Sequence, residues 1–358
     1  MKILAIDTSC DETAVAVTEN TKVLSNIIWS QASLHAKFGG VMPSLAQRMH
    51  EEHIDFVIKK ALTSAQCLVP SVDAIAVTVG PGLAIALGFG INMAKKLAKK
   101  YHKPLIPVNH IEAHLLSPFA RGNSVQRTAY SKNSSIPYNL SAIRYPALGL
   151  VISGGNTQLV LIKKIGDYKV LAETQDDALG EALDKAARML GLGYPGGAIL
   201  EKFARSAGSG QAKYNLPIPL TGDRIKNRFS YSGLKTAFVR LVEKEKPLTK
   251  EKICDLAASF QDVAFKHIEN VLSYHINHLP LTINHLLLGG GVANNNLLRS
   301  KLRKLLKPYK ISLHTPYTKK LCSDNAAMAG IAAYLKSLNE EFTGADKIDR
   351  NPNLKISE

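Results

Sequence analysis

One run of local structure occurs twice in this sequence, and nothing else in it restricts the fold as tightly. Residues 2–6 (KILAI) read as a buried strand ending at Asp7, TAVAV at 13–17 as its partner across the polar turn DTSCDE, and Lys22 to Trp29 as a third strand. Beyond residue 146 the order returns as ALGLVIS, the turn GGNTQ, LVLIK, a loop and YKVLAET. A strand, turn, strand, loop, strand unit met twice argues for a duplicated α/β fold with two lobes facing a cleft. Length agrees, since 358 residues exceed one ordinary core and suit two domains. Between the repeats, residues 120–146 are rich in Ser, Asn, Arg and Tyr without a period and read as an exposed linker or insertion. The expected division is therefore a first lobe at 1–119, the insertion at 120–146, and a second lobe at 147–358 whose last helix can pack back on the first.

The first lobe continues with a helical pattern over 43–65 (Leu45, Met49, Ile54, Val57, Ile58, Leu62), a strand DAIAVTVGPG, and an amphipathic helix from about 83 to 100. A short strand, LIPVN at 105–109, then delivers the chain to VNHIEAH. If that stretch is helical, His110 and His114 lie four apart on one face and can grip a divalent metal from the same side. Two ligands are too few. A catalytic site usually wants a third protein ligand and an open position, and the strongest remaining candidate is Asp324 in CSDNAAMAG. The plainer readings are solvated or hydrogen-bonded helix histidines, and an aspartate acting as the N-cap of the helix that follows. An N-cap carboxylate keeps a second oxygen for a metal, so the two readings of Asp324 are compatible.

Three polar or glycine-rich turns in the second lobe suit a phosphate-bearing ligand. Ser153, Gly154 and Gly155 let backbone amides approach an anion closely. DDALGEALDKAARMLGL reads as a helix bearing Asp184 and Lys185, and Pro195, Gly196 and Gly197 precede another bearing Glu201. HLLLGGGVANNNLLR runs from a buried strand through Gly289, Gly290 and Gly291 to a helix start at Asn294, Asn295 and Asn296. None is a Walker loop or a dinucleotide fingerprint, and glycine at a turn is structural more often than not.

Composition narrows the partners. Apolar residues at 46% and charged residues at 21% are those of a globular protein. No apolar run reaches the roughly 18 residues of a membrane span. The N-terminus opens on a strand rather than a charged leader, so a cytoplasmic location without membrane attachment is expected. Cys10, Cys67, Cys254 and Cys322 lack any C-x-x-C pairing and read as reduced packing residues. A net charge of +16 favours a polyanionic partner, although a lysine-rich surface can also serve solubility alone. The excess is uneven: 121–145 and 297–323 carry several Lys and Arg and no acid.

NHIEAH, VISGGNTQL, GEALDKAARMLGLGYPGG, FSYSGLKTA, GGGVANNNLLR and CSDNAAM, in this order over nearly the whole chain, closely resemble the bacterial TsaD family of tRNA threonylcarbamoyl transferases. The resemblance implies an α/β fold of the two-lobed, duplicated RNase H-like and actin-like ATPase (ASKHA) type. It implies one divalent metal, iron with zinc as the alternative, on His110, His114 and Asp324, and a pocket for L-threonylcarbamoyladenylate formed by Val151, Ile152, Ser153, Gly154, Gly155, Asp184, Gly197, Glu201 and Asn295. The implied reaction moves the threonylcarbamoyl group onto N6 of adenosine 37 in tRNAs that read codons beginning with A, with AMP released. Asp7 and Asp11 would face the same cleft, one of them accepting the proton or positioning the amine. A small TsaB-like paralogue and a TsaE-like P-loop ATPase are the implied protein partners.

Three rival classes fit less well. A metalloprotease of the H-E-x-x-H type needs a base beside the metal, whereas Ile111 follows His110 and Glu112 is displaced. A sugar or acetate kinase on the same fold holds Mg²⁺ largely through ATP phosphates and has no use for two histidines and an aspartate. A noncatalytic scaffold would lack the ligand residues.

Overall fold

A computed structural model describes residues 1–122, 143–207, 213–220 and 222–357. Most of the 120–146 insertion, namely 123–142, lies outside the described residues. The chain divides into two units, one of residues 1–144, 164–168 and 315–358 and the other of 145–163 and 169–314. Relative to a single cut at the insertion, residues 315–358 join the first unit.

The first unit opens with strands β1 (Lys2–Asp7), β2 (Glu12–Glu19) and β3 (Lys22–Ser30). A short helix α1 (Ala32–His35) precedes α2 (Pro43–Ser64), and β4 (Ala74–Gly80), α3 (Ala84–Tyr101), β5 (Leu105–Asn109) and α4 (His110–Leu116) follow. The sheet order is β3-β2-β1-β4-β5, antiparallel on the meander side and parallel from β1 to β4 to β5. Strands β1, β2 and β4 are almost wholly buried, as continuous aliphatic runs must be when both faces of a sheet are covered. On one face, Val57, Ile58 and Ala61 of α2 and Leu87, Ile91 and Ala94 of α3 meet Leu4, Ile6, Val15, Val17, Ile75 and Val77 in a single core.

The second unit repeats the plan with β6 (Ala147–Ile152), β7 (Thr157–Lys164) and β8 (Asp167–Thr174), then helices α5 (Leu179–Met189) and α6 (Gly196–Arg205). A two-residue strand β9 (Arg228–Phe229), helices α7 (Ser232–Lys244) and α8 (Lys250–His278), β10 (His285–Gly289), α9 (Asn296–Leu306) and β11 (Ser312–His314) complete it. Its order is β11-β10-β6-β7-β8-β9, with β6 antiparallel to β7 and parallel to β10, which in turn runs parallel to β11. Leaving β9 aside, this is the order of the first sheet, so the duplication expected from the sequence is present in the topology. The last helix, α10 (Ala326–Ser337), packs on β1, β2, β5 and α4 of the first unit.

The two glycine turns of the second sheet lie backbone against backbone. Gly290 has φ +91°, and a Cβ there would sit 2.2 Å from the Ile152 carbonyl oxygen, an approach open only to glycine. Gly290→Ala is expected to cost about 3 kcal/mol or more, from a strained backbone and a clash with main chain that no rotamer relieves. Gly291, where a Cβ meets nothing within 4 Å, supplies the control. Equal denaturant midpoints for the two alanine variants would refute the prediction.

Candidate metal centre and substrate turns

The metal candidates are placed by two helix starts. Asn109 ends β5 and caps α4, its Oδ1 accepting the Ile111 and Glu112 amides at 2.8 and 3.2 Å. All of α4 is buried, so His110 and His114 are held within the first unit rather than on a solvated helix face. At the other start Asn325, not Asp324, caps α10: its Oδ1 accepts the Met328 amide at 3.0 Å and its Nδ2 donates to the Ser323 carbonyl. The expected capping role of Asp324 thus falls to its neighbour. Asp324 is left to face the histidines, with Oδ1 3.0 Å from His114 Nε2 and 3.6 Å from His110 Nε2.

The candidate ligand atoms of His110, His114 and Asp324 all lie within 4.8 Å of one another. Two buried imidazoles and a half-buried carboxylate facing them are a donor set for iron or zinc and not for magnesium. His110 presents its other nitrogen, Nδ1, to Asp7 Oδ2 at 3.4 Å, the outer carboxylate that commonly orients a metal-bound imidazole. His114 Nδ1 is buried without a hydrogen-bond partner among the described residues, so Asp324 alone satisfies that ring. The residues therefore fit a divalent metal.

Burial dominates the protonation of the group, and neighbouring charge modulates it. Burial works against a charged His110, but Asp324 and Asp7 overcome it and hold its pKa at about 9. Burial wins at His114, which is pushed below the ordinary imidazole value despite Asp324. Asp324 and Asp7 would be raised by burial, yet the imidazoles keep both below the usual carboxylate range, helped at Asp7 by Thr78 and Ser9.

Asp7 and Asp11 are distinguished by their partners. Asp7 is spent: Oδ1 accepts from the Ser9 amide and hydroxyl, and Oδ2 accepts the Thr78 hydroxyl at 2.6 Å. Its place is behind His110, as an orienting group. Asp11 is buried and shares a hydrogen bond with Glu12, whose own pKa is pushed well up by burial and by Asp324 and Asp11. Glu12 was not singled out in the sequence, although the run D-E inside DTSCDE carried the signal.

In the second unit Val151 and Ile152 are fully buried at the end of β6, and Ser153 begins the turn, its hydroxyl accepting the Asn156 amide at 3.1 Å. Gly154 and Gly155 are exposed, with nothing within 4 Å of where a Cβ would be. Behind them Gly180, in the first turn of α5, donates its amide to the Ser153 carbonyl. Asp184 Oδ1 accepts the amides of Gly196 and Gly197 at 2.8 and 2.7 Å, closing the start of α6. Glu201 Oε1 accepts the Asn296 amide at 3.2 Å. Asn295 caps α9 through Oδ1 and donates to Gln261 on α8 at 2.8 Å, so its amide is committed inside the protein. Asp184, Gly197, Glu201 and Asn295 consequently form one hydrogen-bonded frame joining α5, α6, α8 and α9. Ser230 of the FSYSGLKTA stretch is held by Asp176, a residue the sequence reading passed over.

A family model described as TsaD, tRNA N6-adenosine threonylcarbamoyltransferase, matches residues 22–331. The chain belongs to the TsaD family. The tRNA N6-adenosine threonylcarbamoyltransferase of Persephonella marina is 42% identical over 350 residues, covering 97% of this chain and 93% of that protein. Its counterpart in Thermosipho africanus is 39% identical, covering 99% and 100%. Like other members of the TsaD family, the chain is a transferase that modifies tRNA. Among solved structures, T. kodakarensis HypF superposes with a TM-score of 0.58 at 13% identity over 96% of this chain and 48% of that one. Component A of (R)-2-hydroxyglutaryl-CoA dehydratase from Acidaminococcus fermentans gives 0.53 at 13% identity, over 94% and 99%. At such identities the likeness concerns the fold alone, and it places this TsaD-family chain in the duplicated actin-like (ASKHA) class. No helix among the described residues is long and apolar enough to cross a membrane.

Proposed function

We propose that this chain transfers the threonylcarbamoyl group of L-threonylcarbamoyladenylate to N6 of adenosine 37 in tRNAs reading codons that begin with A, releasing AMP. The observation that carries the reading is the convergence of His110, His114 and Asp324, with His114 and Asp324 210 residues apart in sequence, in a chain of the TsaD family. Those three residues would hold one divalent metal, iron with zinc as the alternative, which when bound supplies Lewis-acid polarisation of a carbonyl oxygen. Asp7 orients His110 for that task. The open amides of Gly154 and Gly155 suit the adenylate phosphate, and Asp184 and Glu201 each keep a second carboxylate oxygen for ribose hydroxyls. Val151, Ile152, Gly197 and Asn295 shape the pocket by holding those groups in place.

In the transfer the bond from the carbonyl carbon to the phosphate oxygen breaks as the bond to N6 forms, AMP leaves, and N6 gives up one proton. Asp11 is assigned as the acceptor of that proton, with Glu12 steadying its carboxylate. The net charge of +16 serves the tRNA backbone. A TsaB-like paralogue and a TsaE-like ATPase are the proposed partners, and the cytoplasm the proposed location.

Single-turnover transfer from labelled threonylcarbamoyladenylate to tRNA, with both partners present, tests the reading. Label is expected at the anticodon-adjacent adenosine with the native chain. Asp11→Ala is expected to slow the step by about 10²- to 10⁴-fold, the usual worth of a positioned acid or base. An unchanged Asp11→Ala rate would remove Asp11 from the chemistry, and no transfer by the native chain would remove the reaction.

A further inference from the structure

The last described residues of the chain form a strap that meets the start of β5, the end of β4 and finally the end of β5, from which the metal-bearing helix springs. Thr343 and Leu105 exchange backbone hydrogen bonds at 2.8 and 3.3 Å, and the Asn351 amide donates to the Val79 carbonyl at 2.7 Å. Gly80 lies so close beneath that a Cβ would fall 1.8 Å from the Asn351 carbonyl oxygen. The Gly82 amide donates to Pro352, and Arg350 Nη1 donates to the Ala84 carbonyl at 3.0 Å. Ile348 and Ile356 are buried, so the strap is held by apolar packing as well as by backbone bonds. Its final anchor is Asn109, whose Nδ2 donates to the Lys355 carbonyl at 3.1 Å.

Asn109 is the residue that caps α4. One side of its amide accepts the first free amides of the helix carrying His110 and His114, and the other side is tied to the strap. The amide therefore cannot rotate without giving up either the cap or the strap. We infer that Asn109 and the strap at 343–357 are positioning elements of the metal centre, fixing the start of α4 so that the two imidazoles stay aimed at Asp324. The inference rests on the reading of His110, His114 and Asp324 as metal ligands. Outer partners that orient ligands without touching the metal commonly set its affinity by about 10- to 100-fold.

Asn109→Ser separates the strap contact from the cap. Serine is as good an N-cap as asparagine, but its hydroxyl cannot both cap and reach the Lys355 carbonyl. The experiment titrates the metal-free full chain with Co²⁺ against a competing chelator, reading the visible absorption of the bound ion, alongside the thermal midpoint. The native chain is expected to bind one Co²⁺, lost in His110→Ala. Asn109→Ser is expected to bind at least about tenfold more weakly, with a shifted absorption spectrum and a thermal midpoint close to native. Deletion of residues 351–358 is expected to reproduce the weakening. Lys355→Ala, which keeps the backbone carbonyl, should leave affinity unchanged. Native affinity and spectrum in Asn109→Ser overturn the inference while leaving the metal centre intact. Absence of a Co²⁺ site in the native chain, or one indifferent to His110→Ala, overturns the metal reading and this inference with it.

Discussion

His114→Ala protein is expected to lose its bound divalent metal on dialysis and to transfer the threonylcarbamoyl group about 10³-fold more slowly or worse, once a metal's several kcal/mol of charge stabilisation is gone. His114 is fully buried and its Nε2 stands 3.0 Å from Asp324, so the substitution removes one of the three inward-facing donor groups. The substitution also leaves Asp324 with one imidazole instead of two, and a single histidine and carboxylate make a poor site. A buried side chain cut back to alanine costs stability as well, which is why His114→Gln belongs beside it: glutamine fills most of the volume but is a far weaker ligand. Metal content by elemental analysis, with the thermal midpoint measured on the same samples, separates the two effects. Full metal occupancy in both variants would place the ion elsewhere.

The second large effect concerns acid. His267 and His314, both buried in the second unit, are pushed down to about 4, in each case by burial, partly offset at His267 by Asp176 and reinforced at His314 by His285. An unfolded histidine takes up its proton near pH 6.5. Between that value and about 4 the unfolded chain binds more protons than the folded one, so stability falls as pH falls and is fully present above about 6.5. Each group contributes up to about 3 kcal/mol over that window, on the order of half or more of a domain's stability for the pair. The midpoint of urea unfolding followed from pH 7 to 4.5 should drop steeply. His267→Gln keeps an acceptor for the Ser230 amide that His267 Nε2 now accepts, and it does not titrate, so its drop should be shallower. Equal drops would assign the acid lability to other groups. His110 in the metal-free chain has the opposite sign, its stabilisation being present below about 6.5 and lost as pH rises through about 9.

Much of this is legible in the sequence alone. The strand runs of both units are continuous aliphatic stretches broken by polar turns, a pattern that depends only on neighbours in sequence, and β1 to β8 fall where that pattern puts them. The pairing of His110 with His114 is likewise local. What the sequence did not reveal depends on distant partners. Asp324 looked like the helix cap because aspartate and asparagine are near equals there, and only the fold shows Asn325 taking the role. Asn295 reads as a nucleotide contact in sequence, and only the fold shows that its amide also donates to Gln261 on a separate helix. Glu112 was set aside as displaced from protease spacing, although it is buried and accepts a 2.8 Å hydrogen bond from Tyr168. Asn109 read as the end of a strand, since nothing near it in sequence announces the strap that meets it.

The first unit is discontinuous, its sheet built from residues before 110 and its last helix from residues after 325, with the whole second unit encoded between. During synthesis this imposes an order. Both imidazoles leave the ribosome early, but the carboxylate they face arrives more than 200 residues later, after the second unit is complete. Until then β1 and β2 lack α10, so the first unit waits with part of its apolar surface uncovered. A nascent chain shorter than 324 residues carries two of the three candidate ligands, so on the proposed reading no metal centre can be complete before Asp324 is made.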